Sequence, residues 1–114
     1  MKLDAGLARV IYKLLDDKKA HDITVLRVNH ITSMADYFII ATGNSSTHIN
    51  ALCDHVEKTL REDQLLPKHK EGRTKGEWVL MDYQDVVVHI FNAETRAYYG
   101  LERIWSDAEI INFD

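Results

Sequence analysis

Trp78-Val79-Leu80-Met81-Asp82-Tyr83 and Val86-Val87-Val88-His89-Ile90-Phe91, separated by Gln84-Asp85, decide the fold of this chain. Two runs rich in β-branched and aromatic residues around a short polar break predict a β-hairpin. Side chains alternate across a strand, so Trp78, Leu80 and Asp82 point one way and Val79, Met81 and Tyr83 the other. One set must pack on helices, and both are apolar enough that the strand alone does not say which.

Upstream, Tyr37–Thr42 (YFIIAT) is a short continuous apolar run, the pattern of a strand buried on both sides. Asp22–Val28 (DITVLRV) is a second strand. Between YFIIAT and the hairpin, Gly43-Asn44-Ser45-Ser46 breaks the chain. Ser45 or Ser46 then caps a helix whose buried stripe is Ile49, Leu52, Cys53, Val56 and Leu60. Leu3, Leu7, Val10, Ile11, Leu14 and Leu15 recur at helical spacing over about residues 2–19. Residues 63–77 form a polar loop with room for a short strand after Pro67. After the hairpin, Asn92 caps a last helix, with Ala97, Tyr98, Leu101 and Trp105 or Ile104 expected to be buried. The tail from Ser106 is too short to assign. The element order predicts an α/β (α+β) fold in one domain over residues 1–114. Its mixed sheet has four to five strands, with helices mainly on one face. Three helices leave part of such a sheet uncovered, and an open face with Trp and Met is a natural protein-docking surface.

Composition narrows the function. The 114 residues are 46% hydrophobic and 28% charged, ordinary for a folded domain. A net charge of −4 argues against a general nucleic-acid binder. The charge is uneven: residues 76–114 hold eight acidic and two basic side chains, which suits a basic protein partner. Cys53 is the one cysteine, so no internal disulfide forms and a reducing compartment is expected. The first segment has neither a secretory nor a transit pattern, and no apolar run is long enough to span a membrane. A bacterial cytoplasmic protein is the expectation.

The sequence offers little chemistry. It has no GxxxxGK[ST] loop, no Asp-x-Asp pair and no GxSxG. Asp82 and Asp85 flank the hairpin turn, where carboxylates commonly form the turn. Asp36 meets them only if the fold brings it there. His48 and His55 lie seven apart on one helix, too far for the usual i, i+4 metal pair. His89 sits in an apolar strand. No catalytic residue, metal site or cofactor is therefore expected.

Three segments carry a resemblance. They are Ala35-Asp36-Tyr37-Phe38-Ile39-Ile40-Ala41-Thr42-Gly43 running into Ser45-Ser46; Glu71-Gly72 followed by the hairpin; and Arg96 with Tyr99, Leu101-Glu102 and Trp105. In this order and spacing, over about residues 3–108, the chain resembles the RsfS/Iojap family of ribosomal silencing factors. The resemblance implies a nucleotidyltransferase-like fold without the catalytic carboxylates. It implies binding to protein fourteen of the large ribosomal subunit, on the face that meets the small subunit. The bound factor then blocks subunit joining and represses translation when nutrients are scarce. Some members form homodimers. A nucleotidyltransferase-like enzyme and an adaptor for another basic partner are the alternatives.

The expected partner-binding residues are Trp78, Leu80, Met81, Asp82, Asp85, His89, Tyr98 and Tyr99. Trp78 is the anchor, the two aspartates pair with basic side chains, and one of the adjacent tyrosines faces outward. The basic loop carrying Lys68, Lys70, Arg73 and Lys75 offers a peripheral contact to ribosomal RNA.

Overall fold

A computed structural model describes residues 3–72 and 77–113. The order is α1 (Leu3–Asp17), β1 (His21–Arg27), β2 (Tyr37–Thr42), α2 (Ser46–Glu62), β3 (His69–Glu71), β4 (Trp78–Asp82), β5 (Val86–Phe91), α3 (Ala93–Tyr99), α4 (Leu101–Ile104) and β6 (Glu109–Ile111). One sheet runs β3-β4-β5-β2-β1-β6. It has six strands, one more than the upper expectation. The addition is β6, from the tail left unassigned. Its three residues gain strand geometry only by pairing antiparallel with Val25–Arg27 of β1.

The hairpin forms as expected, with Trp78 opposite Phe91 and Asp82 opposite Val87. Gln84 takes a positive φ of 75° in the turn. The carboxylate of Asp82 accepts from the Gln84 N–H at 2.7 Å, the local bond that favours Asp beside turns. β5 then runs parallel to β2, with Tyr37 beside Val86 and Thr42 beside Phe91. A parallel pair needs a long crossover, which α2 and the β3–β4 arm supply. The sheet is therefore mixed.

α1 and α2 cover one face. Ile11 and Leu15 of α1 and Ile49, Leu52, Cys53, Val56 and Leu60 of α2 pack on Val25, Ile39, Ala41, Val79, Met81, Val88 and Ile90. Ser45 caps α2 by accepting from the His48 N–H at 3.1 Å. His48 is itself a joint. Its Nδ1 accepts from the Asn44 N–H at 2.9 Å, so Nε2 holds the proton and donates to the Lys18 carbonyl at 2.8 Å. α1 ends at Asp17 rather than near Lys19, because Lys19 adopts φ 63° and turns the chain toward β1. Val10, expected in the stripe, is 43% exposed.

The opposite face has a thinner cover. Leu26, Phe38, Ile40, Val87 and Phe91 form a second cluster, against which Leu101, Trp105 and Ala108 pack together with Trp78 and Leu80. The last helix breaks at Gly100, a left-handed cap with φ 57°. This break overturns the burial expected there: Ala97 is exposed and Tyr98 is 80% exposed, while Leu101 and Trp105 turn inward.

Candidate functional site

Strand alternation and the position of the long helices together divide the expected contact residues. On the thinly covered face, cross-strand neighbours line up in three rows. Trp78, Phe91 and Thr42 form one, Leu80, His89, Ile40 and Thr24 the next, and Asp82, Val87, Phe38, Leu26 and Ile110 the third. Trp78, Leu80 and Asp82 are partly exposed there. Met81 points the other way, beneath α1 and α2, with no accessible surface. It is a core residue, and its assignment to the contact set is corrected. The stiff β-pleat, with one helix-covered side, leaves it no route outward.

His89 lies on the open side of the sheet but is only 6% exposed. The Trp78 indole N–H donates to its Nδ1 at 3.1 Å. An indole nitrogen only donates, so His89 is the neutral form with its proton on Nε2. That Nε2 has no hydrogen-bond partner among the described residues. Burial alone pulls the imidazole down to about 4, since a desolvated site penalises the charged ring. His89 is therefore the support beneath the indole rather than a surface contact.

Around this pair the rings interlock. Trp78 stacks on Phe91 at 5.0 Å between centroids and meets Tyr99 at 4.6 Å. Phe38 lies edge-on to both His89 and Trp105, at 5.3 and 5.1 Å. Tyr99 is 46% exposed and sets Tyr98 outward, perpendicular to it. Asp85 is exposed at the turn, away from the rings, and its backbone carbonyl accepts from the N–H groups of Asp36 and Tyr37 at 2.8 and 3.1 Å. The fold thus joins Asp36 to the hairpin through main chain. Among the described residues, no three His, Cys, Asp or Glu side chains gather as a metal site.

Arg96 is the clamp of this region, a role its sequence position does not reveal. Its guanidinium donates to Glu102 from Nε and Nη2 at 3.1 and 2.7 Å. Nη1 donates to the Asp22 carbonyl and Thr42 Oγ1, at 2.7 and 2.8 Å, and Nη2 also reaches Thr24 Oγ1 at 3.1 Å. A spacing of six is wrong for a pair along one helix. The turn at Gly100 makes it right. The irregular register of β1 between His21 and Thr24, with Asp22 at φ 50°, leaves the Asp22 carbonyl open to the arginine. Lys70, proposed for RNA, donates to Glu57 at 2.7 Å. Lys68 is exposed, and Arg73 and Lys75 lie outside the described residues.

A mixed six-stranded sheet, with two long helices on one side and an aromatic-lined, part-open surface on the other, is a small α+β domain. Known proteins narrow this further. The chain belongs to the family described as the ribosomal silencing factor during starvation, whose model matches residues 2–114. It is 40% identical to the ribosomal silencing factor RsfS of Bacillus subtilis over 109 residues, which is 96% of this chain and 92% of that protein. A crystal structure of a protein from Chromobacterium violaceum superposes with a TM-score of 0.86 at 35% identity, covering 90% of this chain and 85% of that one. A mouse relative named mitochondrial assembly of ribosomal large subunit protein 1 is 31% identical over 100 residues, 85% of this chain and 44% of that protein.

Proposed function

We propose that the protein docks on the large ribosomal subunit of a bacterial cytoplasm through its part-open sheet face, at protein fourteen of that subunit, and sterically prevents the small subunit from joining. The reading is supported by the silencing-factor family and by the mouse relative, whose name points to the large subunit. The observation that carries it is the state of Trp78. The indole is partly exposed, yet it is fixed by His89, Phe91 and Tyr99 before any partner arrives. A large side chain that is already ordered loses little entropy on binding, which is what an interface anchor requires. Leu80 extends the apolar surface beside it.

No bond-making residue is needed. Silencing by occupation is mass action: the factor must hold territory that the small subunit would otherwise take. The test is sedimentation of the purified protein with separated subunits, followed by a joining assay. The wild-type chain travels with the large subunit and lowers the yield of joined particles. Trp78→Ala weakens docking roughly tenfold or more, within the range for an aromatic anchor. Unchanged joining at saturating protein would overturn the reading.

A further inference from the structure

Beside Trp78 the surface holds two adjoining cavities. One, of about 200 Å³, is lined by Gly72, Glu77, Trp78, Thr95 and Tyr99. The other, of about 460 Å³, shares Glu77, Thr95 and Tyr99 and adds Glu94 and Tyr98. The shared walls make one groove running from the indole to the tyrosine pair. Tyr98 and Tyr99 stand at 89° with centroids 5.2 Å apart, so their rings form a corner. Tyr99 is held in place by Trp78, while Tyr98, 80% exposed, is the most exposed large hydrophobic side chain among the described residues. Two carboxylates, Glu77 and Glu94, line the same cavity. Arg96, the cation on the same short helix, is committed to Glu102 and its strand contacts.

Tyrosine π faces attract a cation placed within about 6 Å of the ring. Neighbouring carboxylates strengthen that preference and repel anions. The geometry also favours one cation over the other. A guanidinium is flat, weakly hydrated and forked, so it can lie on a ring while donating to a carboxylate, whereas an ammonium is compact and holds its water. The chain from residue 76 onward, which supplies every wall of the groove except Gly72, holds eight acidic residues against two basic and points the same way, while the loop that carries Gly72 holds Lys68, Lys70, Arg73 and Lys75. We propose that this groove receives an arginine side chain of the docking partner, its guanidinium against Tyr98 and Tyr99 and held by Glu77 and Glu94. The inference rests on the docking reading above for where the arginine comes from, while the chemistry of the groove stands apart from it.

Two arms test it. In the first, the full chain is titrated with Nα-acetyl-arginine methylamide and with its lysine and citrulline counterparts, followed by amide resonances in NMR. The arginine compound shifts resonances between Glu94 and Tyr99 saturably. The lysine compound binds about threefold more weakly, and neutral citrulline produces no such shift. Glu77→Gln with Glu94→Gln lowers the arginine affinity about fivefold, the scale of two exposed charge contacts, and raised salt does the same. The inference is overturned if citrulline matches arginine, if arginine gives no saturable shift, or if the double substitution changes nothing. In the second arm the double variant is sedimented with large subunits. Weaker docking supports the inference. If wild type and variant travel equally well, the groove is not used in docking and the inference fails, while the docking reading stands. If the wild type does not travel, the docking reading fails, and the titration alone decides the groove.

Discussion

His89 shows how one residue serves the surface above it. The ring is neutral and buried, bonded to Trp78 through Nδ1, and carries an Nε2–H without a partner among the described residues. Its protonation is pulled from 6.5 down to about 4 by desolvation. The stability consequence has a definite sign. Above pH 6.5 neither the folded nor the unfolded ring is protonated, and the residue adds no pH dependence. Between 6.5 and about 4 the unfolded chain binds a proton that the folded chain refuses, so stability falls as pH falls, by at most about 3 kcal/mol. Urea unfolding at a series of pH values should show this loss, and His89→Phe should flatten it within that window. A slope that persists in the variant would assign the acid sensitivity to other groups. Trp78 and Leu80 illustrate what the sequence could and could not reveal about the candidate site. That the strand had two apolar sides was plain from WVLMDY. That Met81 belonged to the buried side was not, because only the placement of α1 and α2 distinguishes the two.

Gly100 plays the equivalent part at the level of elements. It ends α3 in a left-handed conformation, and its N–H closes on the Arg96 carbonyl at 2.9 Å. The chain then restarts as α4, which brings Glu102 back to Arg96 and turns Leu101 and Trp105 onto Phe38 and its neighbours. An added Cβ would stand 2.5 Å from an Arg103 guanidinium nitrogen. That side-chain tip can move aside, so the cost is mainly conformational. Gly100→Ala should cost about 1 kcal/mol and Gly100→Asn less, because asparagine tolerates the left-handed region. The measurement is the urea midpoint with an unchanged denaturant slope. Equal losses in both variants would mean that contact, not φ, governs the position. The same glycine explains why helical periodicity fails here. Continuous helical periodicity through residue 105 expects Ala97 and Tyr98 inside, but the phase resets at Gly100. Elements defined by their own periodicity, such as β2, α2 and the hairpin, were legible, as were the caps at Ser45 and Asn92. β6 was not, since three residues at a sheet edge become a strand only through β1. The five-donor role of Arg96 was hidden for the same reason: its partners come from β1, β2 and α4, far apart in sequence.

For the molecule as a whole, the division of labour between the two sheet faces bears on mechanism. The face under α1 and α2 holds the larger core, including Met81, Ile90 and Leu52, all without accessible surface. Stability thus rests chiefly on one side, and the other carries a thin cover and the ordered rings. Such a molecule can lose affinity through surface substitutions on one face without unfolding, which separates docking from folding experimentally. The proposed steric silencing makes a quantitative demand. If factor and small subunit compete for overlapping territory on the large subunit, each raises the apparent dissociation constant of the other. The factor concentration that halves joining must therefore rise with small-subunit concentration, in direct proportion once that concentration exceeds its own dissociation constant. A joining assay by light scattering, run at several small-subunit concentrations with the large subunit held scarce, reads this dependence directly. A midpoint that does not move would indicate that the factor and the small subunit bind together, with inhibition transmitted through a change in the large subunit. A midpoint that climbs in proportion is the behaviour of a body that simply occupies the space.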